Sequence, residues 1–488
     1  MAPVKRFPRS ICGAIAVTAL TILAEAPVSA QKPPATATPP APEAPPAAPA
    51  VTDPLLEPVP PAAKTVGGWR DALVLLRARS TDLRISLEAL VRAQAQTRVA
   101  LAAALPTLVG SANVTDVAVR TAINPLDGTS VVQTFPPRSV TYGAGATLTI
   151  PVLALRAWYG IGTAHHGERV AELNVANEKR ILAAAAASTM VALITSERVA
   201  ELNRSALRSA LERLALSKRR ADLGAATTLD VLRAEQDAAQ TRSAIVTGDE
   251  SLRQARESLG MALGFAEPWG VPRDLDLDTF ARDSERACPR AGSVEDRPDV
   301  AAAREQITVE RRQLHDVELA FAPTVNLVTT YSATVAPFFA AFQAPTGETV
   351  VVDRTNTLHS WTIAGVLSWT IFDGGVRYGL LRDNRAQIEQ QIQTTEATRR
   401  QATLDVIQSA RAVQVADLTR SVAEKTRDLA RETDRLTRVS YGLGKGTSLE
   451  LIDAGRQLRE AEITLALREF DVVQTKIRAL LALSICEY

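Results

Sequence analysis

Apolar positions along this chain follow two rhythms that take turns. From Trp69 to Ala104, Leu73, Leu76, Leu83, Leu87, Leu90 and Val91 recur at helical spacing. Pro106 ends the run, because its ring cannot continue a helix. Residues Leu108 to Val117 favour β structure, and Asn124-Pro125-Leu126-Asp127-Gly128 marks a loop. Val140 to Ile150 then alternates strictly, with Val140, Tyr142, Ala144, Ala146, Leu148 and Ile150 on one face and Thr141, Gly143, Gly145, Thr147 and Thr149 on the other. This pattern predicts a strand with one greasy face and one small, polar face. The helical rhythm returns from Arg156 to Asp222, roughly 67 residues or about 100 Å at 1.5 Å per residue, longer than any compact domain. A shorter helix is expected over Leu229 to Leu263.

The second half repeats the first. Leu443-Gly444-Lys445-Gly446-Thr447-Ser448-Leu449-Glu450 copies Leu223-Gly224-Ala225-Ala226-Thr227-Thr228-Leu229-Asp230 at an offset of 220 residues. In each, a Gly lets one helix end in a left-handed conformation and a Thr or Ser caps the next, so each is a tight helical hairpin. Leu148 to Leu153 runs into Tyr159-Gly160 as Leu367 to Phe372 runs into Tyr378-Gly379. Such a period means two whole half-domains, not a solenoid unit. Helices are expected over Val376 to Ser440, Pro298 to Ala320 and Leu449 to Leu483. A strand over Trp361 to Trp369 sets Trp361, Ile363, Gly365, Leu367 and Trp369 against Ser360, Thr362, Ala364, Val366, Ser368 and Thr370. Its two tryptophans are separated by about the height of an outer-membrane apolar band.

Composition divides the chain further. Residues 1–30 read as a secretory signal, with Lys5, Arg6 and Arg9 ahead of an apolar run and Val28-Ser29-Ala30 as a cleavage site. Cys12 lacks the flanking residues of a lipidated cysteine. Residues 31–63, rich in Pro and Ala, are expected to form a disordered linker. Two structural repeats, 64–264 and 298–488, flank a Pro-, Asp- and Arg-rich subdomain at 265–297, level with the middle of the rods. Beyond the leader no run reaches the roughly 18 apolar residues of a spanning helix. The nearest, Leu182 to Ile194, holds Ser188 and Thr189, so strands would have to carry any membrane crossing. A soluble sheet also alternates, however, and four strands cannot close a spanning barrel. Either the sheet packs on helices or several chains pool their strands. The net charge of +1 gives no reason to expect nucleic acid.

Over Trp69 to Leu483 the chain resembles the TolC-like family of outer-membrane efflux and secretion channels. The resemblance is carried in order by the hairpin at Leu223, Arg297-Pro298-Asp299-Val300, Ile371-Phe372-Asp373-Gly374-Gly375 and the hairpin at Leu443. It implies a mixed α and β membrane protein, in which a homotrimer pools four strands per chain into one outer-membrane β-barrel above a long α-helical barrel. It implies a passive exit duct of a tripartite efflux or type I secretion system, without cofactor, docked to a periplasmic adaptor and an inner-membrane pump or ABC transporter. It assigns adaptor docking to the tips at Leu223, Gly224, Thr227, Thr228, Leu443, Gly444, Thr447 and Ser448. The strand-to-helix junctions hold Pro151 in the first half and Asp373, Gly374 and Gly375 in the second, Asp373 being placed to cap the rod.

Glu450 and Asp453, three residues apart, share a helix face. Either they complement the helix dipole, or, as the resemblance implies, three copies make them an acidic ring at the periplasmic entrance. Tyr441 and Asp230 match the family's entrance latch, but Gly446 stands where the family has Arg, with Lys445 one place earlier. Nothing suggests catalysis. Of the histidines, His165, His166, His315 and His359, the adjacent pair His165-His166 could suggest a metal, but neighbours on a helix point apart and the expectation is a solvated helix surface. Cys288 and Cys486 form a candidate disulfide in an oxidising compartment. Ala122 to Arg138 and Thr334 to Leu358 are expected as extracellular loops, the second with Phe338, Phe339 and Phe342 over the mouth. A non-channel coiled-coil adaptor or spacer is the alternative, although it would carry one helical hairpin and a lipoyl-like β domain.

Overall fold

The computed structural model describes residues 51–117, 139–272, 282, 283, 286, 288, 292–343 and 346–484. The signal and most of the Pro/Ala segment lie outside them, as do the loop expected at Ala122 to Arg138 and Cys486. In chain order the elements are β1 (Lys64–Thr65), α1 (Trp69–Arg79), α2 (Thr81–Ala102), β2 (Thr107–Val117), β3 (Ser139–Leu153), α3 (Leu155–Asp222) and α4 (Thr228–Ala262). They continue with β4 (Trp269–Gly270), α5 (Pro298–Leu319), β5 (Thr324–Gln343), β6 (Thr349–Ser368), α6 (Val376–Gly442) and α7 (Ser448–Leu481).

The rods α3 and α6 run for 68 and 67 residues. The first helix is not continuous as expected. Ser80 adopts φ −59° and ψ 123°, and its hydroxyl accepts the Leu83 amide at 3.2 Å, so one segment stops and a capped one begins. A second correction concerns α3. One of its windows reaches the length and mean hydropathy, 1.2, of a membrane-crossing helix. Around the Ala-rich stretch, however, Ala183, Ala186, Ala187, Met190 and Leu193 form the floor of the principal core. That core gathers Trp69 and Leu76 of α1, Leu259 of α4, Trp269 of β4, Cys288, and Phe470 and Leu481 of α7. The chain thus returns repeatedly to the level of the rod's middle.

Residues 51–63, assigned above to the disordered linker, are instead ordered. Val51, Leu55 and Leu56 pack on a second cluster, Leu207, Leu211, Ala234, Ala238 and Ile245, between α3 and α4. Four apolar side chains, with Val59 against the principal core, let this stretch bury surface that the Pro/Ala run before it does not offer.

The sheet has the order β2-β3-β5-β6, antiparallel throughout. Its register puts Leu148 beside Leu108 and Thr329, and Ala146 beside Gly110 and Tyr331, which faces Trp361. One face therefore carries Leu108, Val114, Tyr142, Leu148, Tyr331, Trp361 and Ile363, all side chains that water does not favour. The other carries Ser111, Thr147, Thr330, Ser332 and Thr362, with Thr147 and Thr330 hydroxyls 3.3 Å apart. On the apolar face the polar tips are satisfied locally. Trp361 donates to the Thr329 hydroxyl at 2.8 Å, and Tyr331 meets His359 at 2.9 Å. The expected loop Thr334 to Leu358 is mostly strand, because β5 and β6 stay paired from Thr324↔Ser368 to Gln343↔Thr349. Phe338, Phe339 and Phe342 belong to that ribbon, a run of β-favouring residues rather than turn formers.

Candidate functional site

Both hairpin tips are built by the same two devices. Gly224 and Gly444 adopt φ 74° and 76°, the left-handed region that ends a helix cheaply only for glycine. Thr227 and Thr447 then cap α4 and α7 through reciprocal capping boxes. Asp230 receives the Thr227 amide at 2.9 Å, and Glu450 receives the Thr447 amide at 2.9 Å. Asp230 and Glu450 are therefore equivalent positions of the repeat. Thr228 and Ser448 are the first helical residues rather than the caps.

The tips meet through residues whose side chains leave their own hairpin. Ser448, buried, donates its hydroxyl to Asp230. The Arg220 guanidinium lies 4.1 Å from the Tyr441 ring centroid and donates to the Tyr441 carbonyl at 3.1 Å. The Ser448 hydroxyl and the Thr227 amide hold the Asp230 carboxyl below the ordinary carboxylate range. Lys445 is exposed and has no ion pair among the described residues. Gly446 is confined, since a Cβ there would stand 3.1 Å from the Tyr441 amide nitrogen. An arginine at that position would have to displace the backbone of its own hairpin. Asp453 is occupied locally, pairing with Arg456 at 2.7 Å and accepting from Gln457 at 2.7 Å.

Two helical turns or more from the tips lies a buried charge cluster that sequence reasoning missed. Arg213 of α3 pairs with Asp237 of α4 at 2.8 Å, their side chains 8% and 4% exposed. Arg459 of α7 lies 3.7 Å from the same carboxylate and donates to the buried Thr241 hydroxyl at 2.7 Å. Gly455 of α7 leaves room for Arg213, whose nitrogen would meet a Cβ at 2.9 Å. Nothing local in the sequence signals this, since the partners come from three helices. Arg220 and the Asp230–Ser448 link escaped for the same reason.

At the strand-to-rod junctions, Pro151 sits where the β3–β5 register shifts. Gly374 and Gly375 have φ 68° and 93°, and Asp373 accepts the Gly375 amide at 3.1 Å and the Arg377 guanidinium at 2.6 Å. Cys288 is fully buried and disulfide-bonded; its expected partner Cys486 is outside the described residues. Among the described residues no group of three or more His, Cys, Asp or Glu could hold a metal ion. His166 instead meets Glu305 at 2.5 Å, joining α3 to α5.

Residues 72–265 and 293–483 match the family model of the outer membrane efflux protein, one match on each side of the mid-chain subdomain. None of the curated proteins compared with the chain matches it. Among solved structures, the chain resembles CusC, described as forming a transmembrane channel, at 17% identity and TM-score 0.70 over 90% of this chain and 99% of that one. It resembles the Campylobacter jejuni CmeC outer membrane channel at 14% identity and TM-score 0.69, covering 85% of each chain. The Neisseria gonorrhoeae MtrE outer membrane channel in its open state gives 19% identity and TM-score 0.66 over 88% and 93%.

Proposed function

The chain belongs to the outer membrane efflux protein family, and from that premise we propose that it is the outer-membrane exit duct of a tripartite efflux or secretion assembly, working as a homotrimer. The observation that carries the trimer is an imbalance between the rods. Helix α3 is flanked by α2 and α4 and also by α5 and α7, whereas α6 packs against α5 and α7. The remaining side of α6 exposes Leu404, Val415, Leu418, Val422, Leu429 and Leu436. Beside α7 this side forms an open groove of about 740 Å³ floored by Leu418, Val422, Leu429 and Ala461. A second copy offering its own α2 and α4 would give α6 the neighbours that α3 already has, and the arrangement closes as a ring.

The sheet argues the same way. Strands β2 and β6 are its edges, and in lipid such edges must be paired. Three sheets joined edge to edge make a closed barrel with the apolar face outward and the hydroxyl face toward water. In this reading the β5–β6 ribbon is extracellular, the tips dock an adaptor in the periplasm, and Glu450 and Asp453 from three copies draw cations to the entrance. No reaction is required of such a duct. A coiled-coil adaptor or spacer would have no use for a four-stranded sheet with one apolar face.

The test is electrophoresis of protein extracted from outer membranes without heating. A band near three times the chain mass that collapses to the monomer on boiling is expected. A monomer in both lanes, with channel activity absent from planar bilayers, would overturn the proposal.

A further inference from the structure

The segment from Val51 to Val66 follows the α3–α4 hairpin, and its fastenings fall in sequence. Arg256 donates to the Pro60 carbonyl at 2.6 Å. Arg204 donates to the Glu57 carbonyl at 3.3 Å while holding Asp249 at 2.6 Å. Arg242 pairs with Asp53 at 2.9 Å, and Asp53 also accepts the Leu55 amide at 2.9 Å. Position 256 lies toward the middle of the rods and 242 toward the tip, so the segment reaches down the hairpin from the principal core. At its other end β1 pairs with β4, and the Val66 amide donates to the Gly270 carbonyl at 2.9 Å.

The internal repeat shows that this groove is made for its occupant. At the 220-residue offset, Arg204 and Arg242 correspond to Glu424 and Glu462, while Leu207 and Leu211 correspond to Arg427 and Arg431. The second hairpin therefore carries acids in place of two of the three cations that grip the segment, keeping only Lys476 for Arg256, and puts arginines where the rod-side leucines floor the groove. Its bridges between α6 and α7, Asp417–Lys476 and Arg431–Glu462, are solvent-exposed at 3.8 and 3.3 Å. On the first hairpin the bridges Arg204–Asp249 and Arg256–Glu197 lie beneath the segment, with both arginines under a tenth exposed. Ion pairs shielded from water in this way and completed by backbone carbonyls hold their geometry, whereas exposed ones contribute little.

We propose that Val51–Pro60 is a strap that binds α3 and α4 into one stiff stave, so that the two hairpins reaching the entrance differ in compliance. The strap acts by excluding water from cross-helix ion pairs and by adding a third surface to the α3–α4 seam. Stiffness of one hairpin limits how far its tip separates from the other at the Asp230–Ser448 and Arg220–Tyr441 links.

The proposal is tested on the full-length protein in detergent by hydrogen–deuterium exchange. Asp53→Arg, which sets a cation against Arg242, should raise exchange severalfold over residues 200–214 and 234–252 and at the Leu223 to Asp230 turn. Residues 454–476 of the second hairpin should not change. The charge-swapped double variant, Asp53→Arg with Arg242→Asp, should restore the native rates. Unchanged exchange in Asp53→Arg, or an equal rise in both hairpins, overturns the strap, as does a double variant no better than the single one. These readouts do not depend on channel activity, so their failure is separable from failure of the duct reading.

Discussion

The two hairpins of this chain agree at their tips and part company two turns away. At the turns, Gly224 and Gly444, Thr227 and Thr447, and Asp230 and Glu450 repeat one set of backbone instructions with nearly equal geometry. Along their flanks, the first hairpin buries its charges and covers them with a strap, while the second leaves its ion pairs in water. Duplication has preserved what a turn needs, a positive φ and a cap, because those requirements are local. Side-chain partnerships depend on which surface each copy faces, and there the copies have diverged.

The sharpest way to break this comparison is to remove one arginine from each flank. Arg213→Met leaves the Asp237 carboxylate, 4% exposed, with only the longer 3.7 Å pairing to Arg459 and should cost about 2–4 kcal/mol, below the full penalty of an unpaired buried charge. Arg431→Met removes an exposed pair and should cost less than about 1 kcal/mol. Thermal unfolding of the purified protein followed by circular dichroism decides between them, and equal losses would erase the distinction.

The sheet offers a second contrast, between faces rather than repeats. Ala146→Arg places a charge on the apolar face, at about 2–4 kcal/mol near the bilayer midplane, whereas Thr147→Arg points into the hydroxyl face and should be tolerated better. The fraction of heat-sensitive oligomer in outer-membrane extracts reports the difference. Where the repeats agree, the effects should agree as well: Thr227→Ala and Thr447→Ala should each cost about 1 kcal/mol, and a clear inequality in their melting shifts would show that one cap bears more than its local load.

Acid should separate the tips next. The Asp230 carboxyl is held below its ordinary value by Ser448 and by the Thr227 amide. A depressed folded-state pKa stabilises above the unfolded value, about 3.9, and that stabilisation is lost as pH falls through the folded value. The Leu223 to Asp230 turn should therefore loosen only in strong acid, seen as faster amide exchange after correction for intrinsic rates. Asp230→Asn should show no such transition. The smallest effect on stability is expected from Glu450→Ala with Asp453→Ala, since alanine keeps helix propensity high. Cation selectivity and trivalent-cation block in planar bilayers should both fall in this variant; unchanged values would confine the two acids to the capping and Arg456 contacts seen within one chain.

Much of this arrangement was legible in the residues. The rods, the hairpins and the strands announce themselves through periodicity, and their ends through Gly, Pro, Thr and Asp, because helix and strand formation is governed by neighbours within a few positions. Periodicity failed at Ser80, where an apolar pattern continues through a break that only backbone geometry reveals. The reading of Thr334 to Leu358 as a loop between strands also failed, since twenty paired positions make it a ribbon. Composition misplaced the end of the linker, since the sparse apolar residues Val51, Leu55, Leu56 and Val59 count for little until a groove receives them.

By itself, then, the sequence determined the type and order of the principal elements, the two-fold repeat and the capped turns, all of which rest on interactions a few residues apart. Only the tertiary structure decided that Ser448 reaches Asp230, that Arg220 covers Tyr441, that Arg213, Asp237 and Arg459 share a dry site, and that the segment from Val51 binds one hairpin and not the other. Many of those partners are some 190 to 220 residues apart in sequence, and no local preference can specify a contact whose existence depends on how separate helices are packed.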